Sequence, residues 1–214
     1  MHIIWDWNGT LFDDLHVVVE SVNASLAAVG SAVQIDDEGY RDHYRRPVRD
    51  FYDVLLQRPV TDSEWKKINT VFHDVYFENI DQAGPNAEAH AAIAEGQSRR
   101  LTQSILSMWT HTLLEPTVSR HGLADAMLAV QGSTDGEGAI KAALLTDHLH
   151  RLSLGARAKV VMVGDTFDDA HAAVTAGVGA VFYDGGSHHR HALEATGVPV
   201  ADTLCHAIDL AEAL

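Results

Sequence analysis

The chain has a single cysteine, Cys205, and no long run of apolar residues. One cysteine excludes an intrachain disulfide bond and is typical of proteins from a reducing compartment. No apolar stretch approaches the roughly 20 residues that a membrane-spanning helix needs. The apolar N-terminal stretch lacks a basic region and is interrupted by Asp6, which is not the pattern of a signal peptide. We therefore expect a cytoplasmic protein without a membrane partner.

Basic residues are also scarce. Fifteen lysines and arginines stand against 30 aspartates and glutamates, which gives a formal net charge of -15. This balance disfavours nucleic acid and anionic membranes as partners, and an anionic substrate would need a bound cation or a few basic side chains. With 214 residues, of which 46% are hydrophobic, the chain is long enough for a sizeable core in one or two domains.

The segment between residues 15 and 84 has helical periodicity and no strand pattern. Leu15, Val18 and Val22 recur at helix spacing, and Gly30 is a typical helix stop. Thr61 and Glu64 form a capping-box pattern at the start of a further helix. We predict that residues 15–84 form an all-helical cap domain, inserted after the first strand.

The rest of the chain alternates between strand and helix patterns. Gly84-Pro85-Asn86 marks a boundary, and a short alanine-rich helix is predicted from Ala87 to Glu95, ended by Gly96. Strands are predicted at about 2–6, 102–107, 128–131, 160–164 and 180–183, and helices at about 113–121, 138–152, 169–176 and 203–213. Such alternation indicates an α/β fold with a parallel sheet covered by helices on both faces. Residues 1–14 and 85–214 would form this Rossmann-like core.

Three polar side chains end predicted strands, namely Asp6, Ser107 and Asp165, with Ser104 as a rival to Ser107. Ligands of open parallel sheets bind outside the carboxyl ends of the strands, so these side chains should meet. Lys141 follows Gly136-Glu137-Gly138 at the start of a helix and can point to the same edge. Carboxylates, a hydroxyl and an ammonium suit phosphoryl transfer, for which Mg²⁺ is the natural cation.

The order of these motifs resembles that of haloacid dehalogenase superfamily hydrolases, in the phosphoglycolate-phosphatase-like branch with a helical cap. The first motif of the family, Asp-x-Asp-Gly-Thr-Leu, is matched by Asp6–Leu11 except at Asn8. The second motif, a strand-ending Ser or Thr, is matched by Ser107, and the third by Lys141. The fourth, Gly-Asp-Thr/Ser-x-x-Asp, is matched by Gly164–Asp169. The resemblance covers the whole chain.

The resemblance implies a Mg²⁺-dependent phosphatase that acts through an aspartyl-phosphate intermediate. Asp6 would attack phosphorus, and Lys141 would offset the crowded negative charge. Asp6, the backbone carbonyl of Asn8 and Asp165 would hold Mg²⁺. Asp169 would either support the metal shell or orient Lys141.

The resemblance also implies how the substrate is held. Ser107, Thr10 and backbone N–H groups would bind the phosphoryl oxygens. Arg46 and Arg49, in the predicted cap, have two interpretations: a solvated helix face, or a site that recognises a second anionic group of the substrate. We expect a small phosphorylated metabolite as the partner, and a monomer or homodimer.

Asn8 departs from the family pattern, which has an aspartate that protonates the leaving group and later activates water. An amide has no titratable proton near pH 7, although its backbone carbonyl can still bind metal. Three hypotheses follow: a slow or specialised phosphatase, another reaction of the superfamily, or a phosphate-binding protein with poor turnover. The second includes carbon–halogen cleavage and phosphonate cleavage. Phosphonate cleavage would need a Schiff-base lysine from the cap, and Lys66 and Lys67 give weak support for it.

The tract Ser187–His191 contains three histidines. A transition-metal site is one interpretation, but residues so close in sequence rarely converge on a metal without helical spacing. A solvated helix start is the interpretation that we favour.

Overall fold

The computed structural model describes residues 1–134, 140–155 and 158–214. The chain divides into two compact units. The sheet unit contains Met1–Asp13, Pro85–Gly186 and Arg190–Leu214, and the helical unit contains Asp14–Gly84 and Ser187–His189. The helical unit therefore includes four residues that were predicted to belong to the core, namely Asp14 and residues 187–189.

The helical unit is built from four helices and no regular sheet of its own. They are α1 (Leu15–Ala28), α2 (Asp37–His43), α3 (Val48–Leu56) and α4 (Asp62–Asn79). Helices α1 and α4 pack together around an apolar cluster that includes Leu26, Phe51 and Ile68. The predicted capping box is confirmed, since Thr61 accepts from the Glu64 backbone while Glu64 accepts from that of Thr61.

Residues 187–189 join the helical unit through contacts with α2 and the residue that follows it. His189 Nε2 lies 2.9 Å from Asp42 Oδ1, and the His188 ring lies 5.5 Å from that of Tyr44. His188 is only 4% exposed, so the prediction that the whole tract is solvated is wrong for this residue. A helix does begin immediately afterwards, at Arg190.

The sheet unit contains a six-stranded parallel sheet. In chain order the strands are β1 (His2–Trp5), β2 (Phe12–Asp13), β3 (Gly84–Pro85), β4 (Thr102–Thr110), β5 (Val130–Ser133), β6 (Val160–Gly164), β7 (Gly179–Tyr183) and β8 (Val200–Ala201). The sheet order is β5-β4-β1-β6-β7-β8, and β2 and β3 are short strands outside it. Strand β1 lies at the centre, where Ile3 pairs with Gln103 and Val161. Burial on both faces explains its continuous apolar sequence.

Helices cover both faces of this sheet. They are α5 (Ala89–Ser98), α6 (His111–Arg120), α7 (Lys141–Leu152), α8 (Phe167–Ala176), α9 (Arg190–Glu194) and α10 (Leu204–Ala213). Trp5 donates to Gln103, which in turn donates to the carbonyl of Ile93 in α5. Ile4 faces the other way, in a cluster with Leu145 of α7. The prediction of an α/β parallel sheet covered by helices is therefore confirmed, and none of the described helices is long and apolar enough to cross a bilayer.

Some element boundaries differ from the prediction. Helix α5 does not end at Gly96 but continues to Ser98. Gly96 serves packing and is not a helix stop, because a Cβ there would lie only 2.8 Å from the side chain of Gln103. Strands β2, β3 and β8 were not predicted, because two residues carry little periodicity. Gly136–Gly138, and the predicted helix start at residue 138, lie outside the described residues.

A chain of hydrogen bonds between buried polar side chains crosses the sheet unit. Ser104 Oγ lies 2.8 Å from both His2 Nε2 and His148 Nε2. Burial lowers the pKa of His2 to about 4, and the positive charges of His148 and the amino terminus act in the same direction. Burial likewise lowers the pKa of His148 to about 4, with Arg151 adding to the effect and Asp147 opposing it.

Acid should therefore destabilise the fold through these two rings. An unfolded histidine binds its proton near pH 6.5, whereas these rings bind it only near pH 4. The contribution of each neutral ring to stability is complete above pH 6.5, the pKa in the unfolded chain. It is lost as the pH falls towards about 4, the pKa in the folded protein. The loss amounts to at most about 3 kcal/mol for each ring. His148→Gln removes one titrating ring, so its free energy of unfolding should fall less between about pH 7.5 and pH 4.5 than that of the wild type. Urea unfolding at both pH values measures this, and equal losses in the two proteins would contradict it.

Candidate active site

Asp6 and Lys141 form a buried ion pair at the carboxyl edge of the sheet. Asp6 directly follows β1, and its backbone N–H donates to the carbonyl of Val163 in the neighbouring strand β6. Lys141 is the first residue of α7, and its Nζ lies 2.7 Å from Asp6 Oδ1. Lys141 also pairs with Asp169 Oδ1. The ammonium is thus shared between two carboxylates, all three groups being 6% exposed or less.

Asp169 is held in place by the start of α8. Its Oδ2 accepts from the backbone N–H of Thr166 at 2.9 Å and from the Thr166 hydroxyl at 2.7 Å. With Oδ1 on Lys141, both oxygens of this carboxylate have partners. The arrangement is the one expected of a residue that orients Lys141, which is one of the two roles predicted for it. Thr166 was not predicted as a site residue, although its place in the fourth motif was a signal.

Asp165 lies at the end of β6 against two glycines. A Cβ at Gly9 would lie 2.5 Å from Asp165 Oδ2, and one at Gly186 would lie 2.2 Å from the same atom. Thr10 Oγ1 donates to Asp165 Oδ1 at 3.3 Å. Glycines at both positions therefore allow the fully buried carboxylate to reach the site. Gly186 was not predicted as a site residue. Its only signal in the sequence was its position shortly after a predicted strand.

Asn8 lies in a tight turn that is held by backbone hydrogen bonds between its neighbours. Gly9 N donates to the carbonyl of Phe12 at 2.9 Å, and Phe12 N donates to the carbonyl of Trp7 at 2.8 Å. Ser107 Oγ donates to Asn8 Oδ1 at 3.2 Å and accepts from the Trp109 N–H at 3.0 Å. The side chain of Ser107 therefore meets the site, whereas its rival Ser104 is bonded to His2 and His148.

The electrostatics of the cluster are dominated by burial and by crowded negative charge. Burial raises the pKa of Asp6; Lys141 opposes this, and the charges of Asp169 and Asp165 add to it. Burial would lower the pKa of Lys141, but Asp169 and Asp6 outweigh it, so that the pKa of the ammonium is raised. The pKa of Lys141 is thus shifted in favour of the charged ammonium, whereas burial and the neighbouring carboxylates act against the ionised form of Asp6.

The donor set fits a hard divalent cation. Oxygen atoms of Asp6, Asp165 and Asp169 lie within 4.8 Å of one another, and all three residues are buried. When ionised they carry three negative charges, against which Lys141 supplies one positive charge. Carboxylate oxygens in such a cluster are ligands that Mg²⁺ prefers. Since Asp169 is bonded to Lys141 and Thr166, Asp6 and Asp165 are the carboxylates better placed to hold a metal, together with the backbone carbonyl predicted at Asn8. No group of three or more potential metal ligands that includes a histidine occurs in the described ranges.

Arg46 and Arg49 lie in the helical unit and differ in their surroundings. Arg46 is exposed. Arg49 Nη2 donates to Asp62 Oδ1 at 2.8 Å and to the carbonyl of Val60. Arg49 thus ties α3 to the start of α4, which gives it a role in this unit beyond the predicted contact with substrate.

Comparisons with known proteins agree with this geometry. The family model of haloacid dehalogenase-like hydrolases matches residues 3–183. A phosphoglycolate phosphatase of Mesorhizobium japonicum is 27% identical over 197 residues, which are 90% of this chain and 86% of that protein.

Solved structures show the same fold at low sequence identity. The crystal structure of a predicted phosphatase from Clostridium acetobutylicum has a TM-score of 0.82 at 16% identity, covering 100% of this chain and 98% of that one. A haloacid dehalogenase-like family hydrolase of Streptococcus pneumoniae also has a TM-score of 0.82 at 16% identity, covering 97% of this chain and 96% of that one.

Mg²⁺ should bind to the carboxylate cluster and stabilise the protein. A ligand that binds only the native state adds roughly 2.7 kcal/mol to the free energy of unfolding when its free concentration is about 100 times its dissociation constant. Asp165→Asn should abolish the Mg²⁺-dependent rise in the thermal midpoint, because it removes a charged ligand. Asp168→Asn, a change of the same kind three residues away, should retain it. A rise of equal size in both variants would show that the metal binds elsewhere.

Proposed function

Because the chain belongs to the haloacid dehalogenase-like hydrolase family, we propose that it is a Mg²⁺-dependent phosphomonoesterase that acts through an aspartyl-phosphate intermediate. The observation that carries this proposal is the carboxylate of Asp6, held 2.7 Å from the Lys141 ammonium beside the carboxylates of Asp165 and Asp169. A nucleophile, a cation and a set of hard-metal ligands are the parts that phosphoryl transfer needs.

The chemistry proposed for these residues has two steps. Asp6 attacks phosphorus, an Asp6 O–P bond forms, and the ester P–O bond breaks to release an alkoxide that takes a proton from solvent water. Water then cleaves the acyl phosphate to release inorganic phosphate and restore Asp6. Lys141 offsets negative charge on Asp6 throughout, and Ser107 and Thr10 can donate to phosphoryl oxygens by rotating from their present acceptors. Mg²⁺, when bound, would add electrostatic stabilisation of the phosphoryl oxygens.

Asn8 is the residue that sets the rate in this proposal. Its amide can donate a hydrogen bond but cannot transfer a proton near neutral pH. General acid–base help contributes typically 10²–10⁴-fold, so its loss favours substrates whose leaving groups need no protonation. The same observation supports a second candidate function, that of a phosphate-ester-binding protein with very slow turnover.

Other reactions of the family have less support. Phosphonate cleavage would call for a lysine that forms a Schiff base, and Lys66 and Lys67 are exposed on α4. Nothing in the cluster favours carbon–halogen cleavage over attack on phosphorus. The single cysteine is in keeping with a cytoplasmic location, and we propose neither a nucleic acid nor a membrane as partner.

We propose a small phosphorylated metabolite with a second anionic group as the substrate class. The support is the relative named phosphoglycolate phosphatase, which matches 90% of this chain, and the arginines of the helical unit. Arg46, which is exposed, and Arg49, which pairs with Asp62, are the candidates for contact with a second anion.

Asn8→Asp should raise kcat on phosphomonoesters in the presence of Mg²⁺, by about tenfold or more for poor leaving groups. The substitution is nearly isosteric, and a carboxylate can accept the same hydrogen bond from Ser107. Asp6→Asn should abolish turnover in either background, because it removes the nucleophile. Alkyl and aryl phosphates assayed side by side measure both effects, and the gain should be larger for the alkyl ester.

Mass spectrometry of the Asn8-Gly9 peptide is the control, because deamidation would create the variant in the wild-type sample. The structure argues against it, since the Gly9 nitrogen that would attack the amide donates to Phe12. If verified Asn8 protein already equals Asn8→Asp on alkyl phosphates, Asn8 does not limit turnover. If neither protein hydrolyses any ester but both bind phosphate, the second candidate function stands.

Arg46→Ala should raise KM for 2-phosphoglycolate by about tenfold or more while changing KM for an aryl phosphate little. A lost contact to a second anion affects only the substrate that carries one. Arg45→Ala, an exposed arginine beside it, is the matched control. Equal changes of KM for both substrates would exclude Arg46 from substrate recognition.

A further inference from the structure

Strand β1 and helix α7 are matched to each other at three levels. Alternate residues of β1, continued to the residue after it, share one face of the sheet, and residues at i, i+4 and i+7 share one face of α7. These six buried residues are His2, Ile4, Asp6, Lys141, Leu145 and His148. Each element thus carries one of these residues at the catalytic end, one in the middle and one at the far end.

The contacts at the three levels differ in kind. At the catalytic end Lys141 pairs with Asp6 at 2.7 Å. In the middle Ile4 and Leu145 belong to one apolar cluster. At the far end Ser104 Oγ, on the adjacent strand β4, lies 2.8 Å from a ring nitrogen of His2 and 2.8 Å from one of His148.

We propose that His148, bridged through Ser104 to His2, is a positioning residue that fixes α7 along its axis and so holds Lys141 against Asp6. Apolar packing in the middle is non-directional and resists sliding of the helix only weakly. Hydrogen bonds at the far end are directional, and a shift of about 1 Å would break them. They lie two turns from Lys141, on the same face of a rigid element.

The donors and acceptors at the far end allow only one arrangement with neutral rings. Gln131 Nε2 donates to Asp147 at 2.7 Å, so its Oε1 faces His148 and accepts from Nδ1–H at 2.9 Å. His148 Nε2 is then an acceptor for the Ser104 hydroxyl, whose oxygen accepts from His2 Nε2–H. His2 Nδ1 accepts in turn from the hydroxyl of Thr102 at 2.8 Å. A buried chain in which every partner is matched is rigid, because breaking one bond leaves a buried polar group unpaired.

Charged groups lie near both ends of this chain: the amino terminus is near His2, and Asp147 and Arg151 are near His148. Asp147 pairs with Arg151 of the same helix at 2.8 Å and accepts from Gln131. These two groups are partly or largely exposed, whereas Ser104 and His148 are fully buried. In this series of hydrogen bonds, water therefore cannot replace a lost partner at the two histidines and the serine.

The inference rests on the proposed function for the value of placing Lys141 at Asp6, but the placement itself can be measured without turnover. The chain has four lysines, and Lys66, Lys67 and Lys159 are exposed. Reductive methylation requires a neutral, accessible amine, so burial and a raised pKa should make Lys141 the slowest of the four. Peptide mass spectrometry of a time course gives all four rates in one sample, with the three exposed lysines as internal references.

Ser104→Ala removes the bridging oxygen with little change in volume. We expect methylation of Lys141 to become several-fold faster relative to the three references, and kcat to fall by about ten- to a hundredfold with a smaller change in KM. The matched control is Ser25→Ala, which removes a fully buried hydroxyl that donates to Ser21 and Ile68 carbonyls in the helical unit. It should lower the thermal midpoint without changing the relative rate at Lys141.

A second pair of variants tests whether a side chain at position 148 must reach Ser104, or whether loss of the imidazole ring alone has the effect. His148→Gln can place an acceptor near Ser104, whereas His148→Asn is too short to reach it and retains only the donor to Gln131. The longer side chain should keep Lys141 protected and the shorter one should not. His150→Asn, an exposed position of the same helix, should behave as the wild type.

The proposal is overturned if Ser104→Ala and His148→Asn lower the thermal midpoint but leave the relative methylation rate of Lys141 unchanged, because the bridge would then only stabilise the fold. It is also overturned if both histidine variants expose Lys141 equally. Absence of phosphatase activity in the wild type would contradict the proposed function alone, since the lysine rates would still report on the bridge.

Discussion

The ammonium of Lys141, shared between the carboxylates of Asp6 and Asp169, is the interaction on which the rest of the site depends. Two carboxylates buried this close together would repel each other without it. Each partner reaches the centre from a different element: Asp6 from β1, Lys141 from α7 and Asp169 from α8. The sheet unit can therefore be understood as a scaffold that brings the ends of these elements to one point, where the proposed Mg²⁺ would complete the charge balance.

Much of this scaffold is predictable from the sequence, because the signals are local. An apolar run that stops at Asp6 or Asp165 indicates a buried parallel strand whose end reaches the edge of the sheet. The capping box of α4 and the helical periodicity of residues 15–84 are equally local. A lysine at the start of a helix is a weaker signal, and only the order of the four motifs gave Lys141 its role.

The features that could not be predicted arise from contacts between residues distant in sequence. Gly96 lies within a helix and does not end it, and the side chain of Gln103 occupies the space that a Cβ would take there. Ser187–His189 join the helical unit because His189 meets Asp42, a pairing over 147 positions. Ser104 looked like a rival of Ser107, and only the structure shows that it bridges two buried histidines. Short strands such as β8 could not be predicted for a different reason, since two residues are too few to show a hydrophobic periodicity.

Asn8 fits within the framework of the site, where its side chain accepts from Ser107, but an amide offers no titratable proton near neutral pH. The central claim is that Asp6 is the nucleophile, and trapping of the intermediate tests it most directly. The protein would be incubated with an aryl phosphate and Mg²⁺, quenched with acid, treated with borohydride to reduce any acyl phosphate to the alcohol, and analysed by peptide mass spectrometry. The account predicts reduction at Asp6 alone, and only after exposure to the ester. Turnover of the ester with reduction at another carboxylate, or with none at any time point, would contradict it.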